Sequence, residues 1–447
     1  MPQTTLFELP EVERPKSVVA TRPEDARVVR PVRSQTQWEA RNLDAILPED
    51  DRARGIWAFL EHWDLSGFYA SIKAVAGRAG RPASDPMVLL GVWLLALVDS
   101  IGSARQVDRL CKQHDSYRWM CCGVPVDYHI LADFRVEHGQ VLNNLLTEIL
   151  AAMIAGGLVT LRHVAQDGMR VRAGAGASSY HRKDSLEKCL TQARQRVEQL
   201  AAEREHPDPG VTRRERAARE RAAREREERV AEALRRLPAI QAAKDRQRRT
   251  LTKDKRPKIT EARVSTTDPV VQVIKMPDGG FRPAYNAELA TDVDSQVIIG
   301  VGVTTAGTDA GQAPPMVDQI VERTERTPEG YLVDGGFAKR EDITTLGRKG
   351  MVVYAPTRPP RTTTSGRTQV SPRSDDTPEV VAWRARMDTE EAKIIYRERA
   401  ATAECVNARG RFLGLRQFTV RGPAKVLTVL LLTAIAHNML RWIALMQ

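Results

Sequence analysis

The sequence predicts a mixed α/β fold, with an all-α region in front of a mixed sheet and a helical hairpin set into that sheet. Three observations carry this. Residues 35–160 follow helical apolar periods. Residues 163–172 and 257–360 hold short β-prone runs punctuated by Gly and Asp turn signals. Between them, residues 183–249 switch to a charge-rich heptad pattern.

Taken in order, residues 1–34 are polar and proline-bearing, without period, and read as a mobile tail. Its Arg22, Arg27, Arg30 and Arg33 suit phosphate contact or plain solvation equally. Trp57, Leu60, Trp63, Leu65 and Phe68 lie on an early helix. Asp85 then serves as N-cap and Pro86 as the first residue of a helix through Val98 that is apolar all round, hence the centre of this region. Ser103 is placed to cap one helix running to Trp119, and an amphipathic helix through Leu142, Leu145, Ile149 and Leu150 ends at Gly156-Gly157.

Residues 163–172, His-Val-Ala-Gln-Asp-Gly-Met-Arg-Val-Arg, alternate apolar and basic after Gly168, a strand pattern with Asp167 inside it. Leu186, Leu190, Ala193, Val197 and Leu200 are spaced 4, 3, 4, 3, a heptad seam broken at 206–210. Glu-Arg-Ala-Ala-Arg then occurs twice at 215–224, and a weaker seam includes Val230, Leu234 and Leu237. This is an antiparallel coiled-coil hairpin whose charges are mainly a solvated face with i,i+4 pairs. Strands follow at Val270–Ile274, Ala284–Thr291 and Val297–Val303, then a helix near Ala313–Arg323 and a strand ending at Asp334. A helix over 339–349, a strand at 351–354, a loop over 357–378, a helical stretch over 388–409 and an apolar helix over 424–445 complete the chain. The strand near Val270–Ile274 is expected to pair with 164–171. The order strand, strand, strand, helix, strand, helix, strand, helix is that of an RNase H-like mixed sheet with flanking helices. Five segments result: the tail 1–34, the helical domain 35–160, a first part of the core 161–182, the insertion 183–256 and the rest of the core 257–447.

The chain has 447 residues, 42% of them apolar, and a net charge of +11, which favours a polyanionic partner, nucleic acid before membrane. Its five cysteines form no Cys-x-x-Cys pair and no Cys/His zinc pattern, so disulfides and structural zinc are not expected. No charged n-region followed by an apolar h-region opens the chain, and the apolar runs 87–98 and 426–436 are shorter than a membrane span, so a cytoplasmic protein is expected.

Tyr-Leu-Val at 331–333 runs into Asp334-Gly335-Gly336, a second strand-borne aspartate, and Glu404 lies on a helical stretch. Two strand aspartates and a helix glutamate are the donor set of a two-metal phosphoryl-transfer site, where oxygen ligands hold two Mg2+ ions (Mn2+ as substitute) roughly 4 Å apart. The bland reading of each is a turn aspartate before glycine, or an exposed helix glutamate with Glu390, Glu391 and Glu398 as rivals. Glu404 is favoured by its face, since Arg397, Glu404 and Arg411 fall within about 20° of one line per two α-helical turns. Arg105, Arg109 and Lys112, at steps of 4 and 3, share a helical face suited to lying against DNA, or to plain solvation.

Five stretches together resemble the DDE-superfamily transposases of bacterial insertion sequences. They are Ser103–Val107 with Phe134-Arg135; Gln166-Asp167-Gly168 with Arg170; Tyr285–Glu288 through Asp292; Val333–Phe337; and Tyr396–Arg399 through Glu404 to Arg411. The resemblance implies that Asp167, Asp334 and Glu404 bind the metals and that Tyr396, Arg399 and Arg411 support DNA. It implies cleavage at the terminal repeats, joining to target DNA, and a homodimer when two ends are synapsed. Arg411 stands where the family usually has Lys, and Met169 where a small polar residue is common. Arg399 is five residues before Glu404, one more than in the tightest signature, about 140° away on an α-helix, which leaves Arg397 as the alternative. A nuclease that cuts without joining, and a transposase-derived DNA-binding protein without catalysis, use the same residues.

Overall fold

The computed structural model describes residues 42–74, 82–204, 210–250, 261–357 and 375–446. The expected tail, the break at 206–209 and most of the expected 357–378 loop lie outside the described residues.

Helices fill the N-terminal part: α1 (Leu43–Ile46), α2 (Arg52–Leu60), α3 (Ser66–Tyr69), α4 (Pro86–Val98), α5 (Ala104–Gln113), α6 (Asp115–Cys121), α7 (Tyr128–Glu137) and α8 (Gly139–Ala155). Asp85 caps α4 by accepting from the Met87 N–H at 2.8 Å, and Pro86 opens it. Every α4 residue except Met87 is buried, so its sides are covered by α2, α6, α7 and the C-terminal helix. Truncating a side chain such as Leu94 there should cost about 2–5 kcal/mol. The single helix expected from Ser103 to Trp119 is two helices, broken at His114 in extended backbone. Val107 and Tyr117 are both buried. Ten residues apart, they would point about 80° apart on one straight helix, and the break turns both inward.

The sheet strands are β1 (His163–Arg172), β4 (Gln272–Lys275), β5 (Phe281–Asp292), β6 (Ile298–Thr304), β7 (Gly330–Leu332) and β8 (Val352–Tyr354); β2 (Tyr180–His181) and β3 (Val264–Ser265) form a separate ladder. The main order is β6-β5-β1-β7-β8, with β4 also on β5. β1 is antiparallel to β5 and β5 to β6, whereas β7 runs parallel to β1 and β8 to β7. The expected pairing of 164–171 with 270–274 is therefore corrected: β1 pairs with β5 along 164–172, and β4 pairs only with the start of β5. Burial gives the reason. From Ala284 to Asp292 every β5 residue is buried, which suits a central strand, while Gln272, Val273 and Lys275 of β4 are exposed, as on an edge.

Between β2 and β3 run α9 (Lys183–Ala202) and α10 (Arg213–Thr250), packed on each other. Leu186, Ala193 and Leu200 of the expected seam are buried, with Ala223, Val230, Ala233 and Leu237 opposite. Arg194 pairs with Glu227 at 3.4 Å and Arg204 with Glu220, so the two helices run in opposite directions. At the base, Leu186, Ala233 and Leu237 pack with Ala262 and Val264.

The remaining helices are α11 (Ala313–Thr324), α12 (Arg340–Arg348), α13 (Pro378–Met387), α14 (Glu390–Arg399), α15 (Cys405–Phe412) and α16 (Pro423–Leu445). The stretch expected as one helix over 388–409 is α14, a π-helical turn at Ala400–Glu404, and α15. α13 was not anticipated, although Thr377 caps it and Pro378 opens it. α16 has 23 residues, as the expected apolar helix over 424–445 anticipated, and is long enough to cross a membrane by length and composition, with 67% of its apolar window buried. Asn438 on its buried face donates to Ile298 O at 2.8 Å and accepts from Ile298 N at 2.9 Å, tying α16 to β6. One apolar core runs from the N-terminal helices to the sheet. Arg135 crosses that region, donating to Gly102 O at 2.6 Å and Thr419 Oγ1 at 3.0 Å over the Trp93 ring.

Candidate active site

Strand register brings the two aspartates together. β1 and β7 pair His163 with Gly330, Val164 with Tyr331 and Ala165 with Leu332. Two residues beyond the last pair stand Asp167 and Asp334, at the same level of adjacent parallel strands. Asp334 accepts from the Gly336 N–H at 2.7 Å. Asp167 Oδ1 accepts from Arg399 Nη2 at 3.0 Å, and Oδ2 from Asn407 Nδ2 at 2.8 Å. Burial raises the Asp167 pKa; the Arg399 guanidinium opposes this, and the charges of Asp334 and Asp309 add to it.

Period two turns Gln166 and Gly168 to the other face of β1. Glu288 of β5, opposite Gly168 in register, is only 2% exposed. Its Oε2 accepts from Gln166 Nε2 at 2.9 Å and its Oε1 from Asn286 Nδ2 at 2.6 Å. Tyr331 in turn holds Gln166, its hydroxyl donating to Oε1 at 2.6 Å. Asn286 Nδ2 also donates to Asp309 Oδ1 at 2.7 Å. Burial pushes Glu288 up to about 8, the Gln166 hydrogen bond opposes it, and Asp309, Asp167 and Asp334 raise it further. Four carboxyl groups thus act on one another across the end of the sheet.

Glu404, expected to point inward, is exposed at the end of the π turn, and no hydrogen bond or ion pair holds it among the described residues. The same segment sends Arg399 and Asn407 to Asp167 instead. The π turn bears on the spacing problem in the sequence. Its i→i+5 bonding changes the angle between Arg399 and Glu404 from the α-helical value, yet Arg399 faces Asp167 while Glu404 is exposed. It equally breaks the α-helical phase that aligned Arg397 with Glu404. Arg397 is exposed, and Arg399 is the basic residue on the acid cluster. Tyr396 is half-buried beside Arg399, Asp334 and Asp167, its hydroxyl pKa raised mainly by burial.

Exposed Arg411 lines a groove with Arg170, Arg172 and Arg282. Asp278 pairs with Arg282 in it. Arg105, Arg109 and Lys112 are exposed on α5, with Arg105 over the Tyr128 ring and Lys112 paired with Asp108 at 2.7 Å. Sequence reasoning missed Asp309 and Asn407, and took Glu288 only as part of a resembling stretch. Asp309 sits in a turn-like Thr-Asp-Ala-Gly run with no strand pattern to mark it, whereas Asn407, three residues after Glu404, shared a helical stripe that could have been tested. Among the described residues, no three His, Cys, Asp or Glu side chains stand in an array ready to hold a metal ion.

Interacting carboxylates at the ends of adjacent strands, roofed by an arginine and an asparagine and flanked by a groove of arginines, define an acidic site suited to an enzyme acting on phosphodiesters. Residues 41–137 match the family described as Transposase domain (DUF772), and residues 358–443 the family described as Transposase DDE domain. Those two matches, in that order, support an insertion-sequence DDE transposase. Such transposases generally use divalent metal ions. No curated protein and no solved structure matches the chain.

Proposed function

We propose that this transposase cuts phosphodiesters at the ends of its own element and joins the freed 3′-hydroxyls to target DNA, using Mg2+ or Mn2+. The observation that carries the reading is the register that sets Asp167 beside Asp334. The sheet order, with three antiparallel and two parallel pairings, supports an RNase H-like core made of 161–182 and 257–447. The opposed packing of α9 and α10 supports a coiled-coil insertion over 183–256.

The residues present fit a hard divalent cation. Their donors are oxygens, and each Asp167 oxygen keeps a lone pair beyond the one that Arg399 or Asn407 uses. Gly168 leaves a cradle beside the buried, unpartnered Oδ1 of Asn286. When bound, such ions supply a metal-held nucleophile and stabilise the charge that develops on the phosphate. Asp167, Asp334 and Glu404 are the proposed ligands. Arg399 and Asn407 orient the Asp167 carboxylate, and Tyr396 borders the same pocket. Arg411, with Arg170 and Arg172, offers a track for phosphates running from the acids. The helical domain 35–160 presents Arg105, Arg109 and Lys112 to the terminal repeats. The inserted arm reaches a second subunit or flanking DNA, which suits a homodimer that synapses two ends on the cytoplasmic nucleoid.

Asp167→Asn, Asp334→Asn and Glu404→Gln should each lose at least a hundredfold in nicking and strand transfer of DNA carrying the element ends, while end binding stays within a few-fold. Cleavage by the wild type in EDTA, or by the aspartate variants at its rate, would refute the reading. Near-normal joining by Glu404→Gln would move the third ligand to Glu398. Nicking with no joined product would identify a nuclease.

A further inference from the structure

Asp309 lies in the connection from β6 to α11, a segment pinned from several sides. Its backbone carbonyl accepts from the Gln312 N–H at 3.1 Å, and the Gly311 N–H donates to Asp342 Oδ2 at 2.6 Å. The carboxylate stands beside Asp334 and against the face of β1 that Gly168 presents. A Cβ on Gly168, directly after Asp167, would come 2.8 Å from Asp309 Oδ1. A Cβ on Gly336, two residues after Asp334, would come 3.0 Å from Asp309 Oδ2 and 2.9 Å from Asp334 Oδ1. Each Asp309 oxygen therefore sits where a side chain next to one of the aspartates would otherwise stand. We infer that Asp309 is a further acid of the metal centre, held beside Asp334 by Asn286 and admitted there by Gly168 and Gly336. This deepens the two-metal reading above and rests on it.

A second observation points to a ligand. Asn286 is 1% exposed, and its Nδ2 serves two acids, Glu288 and Asp309. Its Oδ1 is buried without a partner, 2.9 Å from where a Gly168 Cβ would be. A buried amide oxygen left unpaired is costly, and a hard cation or one of its waters has the chemistry to satisfy it. Asp309 is also one of the charges acting on Asp167 and Glu288, which places it within electrostatic range of both.

The test is an isothermal titration of the full chain with Mn2+ alone, followed by melting curves in EDTA. Asp309→Asn keeps the shape and an acceptor toward Asn286 but loses the charge. Its Mn2+ affinity should fall tenfold or more, with a melting temperature in EDTA equal to or above that of the wild type. Asp309→Glu should keep affinity within a few-fold. Asp318→Asn, at an exposed acid on α11 paired with Lys349, should match the wild type. If the wild type takes up Mn2+ and Asp309→Asn binds it equally well, the inference is overturned and the DDE reading stands. If the wild type takes up no Mn2+, with or without end DNA, that reading falls and the inference with it. Should Asp309→Asn fail to fold, Asp309→Ser is read in its place, where a tenfold loss supports the inference and unchanged affinity overturns it.

Discussion

Replacing Arg399 by glutamine removes the cation bonded to Asp167 among the described residues. The side chains of Arg399 and Asp167 are 12% and 21% exposed, so the pair is largely, though not fully, withdrawn from water. Breaking a fully buried pair costs about 3–5 kcal/mol. Partial exposure and the surviving 2.8 Å bond from Asn407 reduce that, leaving about 2 kcal/mol, in line with one charge-assisted hydrogen bond. The sign with pH follows from Asp167, whose pKa burial already raises and Arg399 restrains. Without the guanidinium it rises further, so the penalty is small in acid, where Asp167 is protonated, and grows as pH rises through the carboxylate range. The assay is reversible urea unfolding in EDTA of the wild type, Arg399→Gln, Asp167→Asn and the double variant, between pH 4 and 8. A coupling energy of about 1 kcal/mol or more at pH 8, shrinking at pH 4, is expected. Coupling below about 0.5 kcal/mol throughout would refute the idea that Arg399 holds and orients the Asp167 carboxylate.

Gly168→Ala forces a Cβ against Asn286 Nδ2 at 2.7 Å and Asp309 Oδ1 at 2.8 Å, and these side-chain ends must swing away from their mutual bond. A loss of about 1–3 kcal/mol in EDTA melts, with weaker nicking, is expected, and a variant unchanged in both would show the cradle to be slack. His437 is buried on α16 with Nε2 against Gln296 O at 2.8 Å, and burial holds its pKa down to about 4 from 6.5, with Arg409 and Arg441 adding to the effect. Stability from its neutral form is full above pH 6.5 and lost as pH falls through about 4, so His437→Asn should flatten that limb of melting temperature against pH by up to about 3 kcal/mol. An equally steep limb in the variant would exclude His437 as its source. Replacing 189–231 with a short Gly/Ser linker keeps Leu186, Ala233 and Leu237 at the base and should spare nicking. It should strip paired-end complexes from native gels, and undiminished pairing would make the arm a passive insertion.

Local chemistry made much of the architecture legible in advance. α4 was written in a cap, a proline and an unbroken apolar run. β5, β6, α11 and β7 were marked by their periods and turn residues. Asp167 and Asp334 stood out because an acid at the end of an apolar strand run, ahead of glycine, is a local pattern. Breaks inside helical stretches were harder. His114 interrupts a helix because α4 demands two faces at once, and the π turn at Ala400–Glu404 leaves no trace in composition. It changes only the phase between Arg399 and the residues C-terminal to the turn, and phase is the quantity that an α-helical projection assumes.

Pairing partners and convergence belong to tertiary structure. Both β4 and β5 looked able to lie beside β1, and the choice went to β5 because only it could bury its length on both faces. The sequence by itself determined the helical domain, the inserted pair of helices, the sheet elements and the two strand aspartates, since each rests on patterns within about ten to twenty residues. Tertiary structure alone decided that Arg399 and Asn407 reach Asp167, that Glu404 faces solvent, and that Asp309 and Glu288 join the acids through Asn286. Those contacts link residues as much as 240 positions apart, and no local period encodes a distance of that kind.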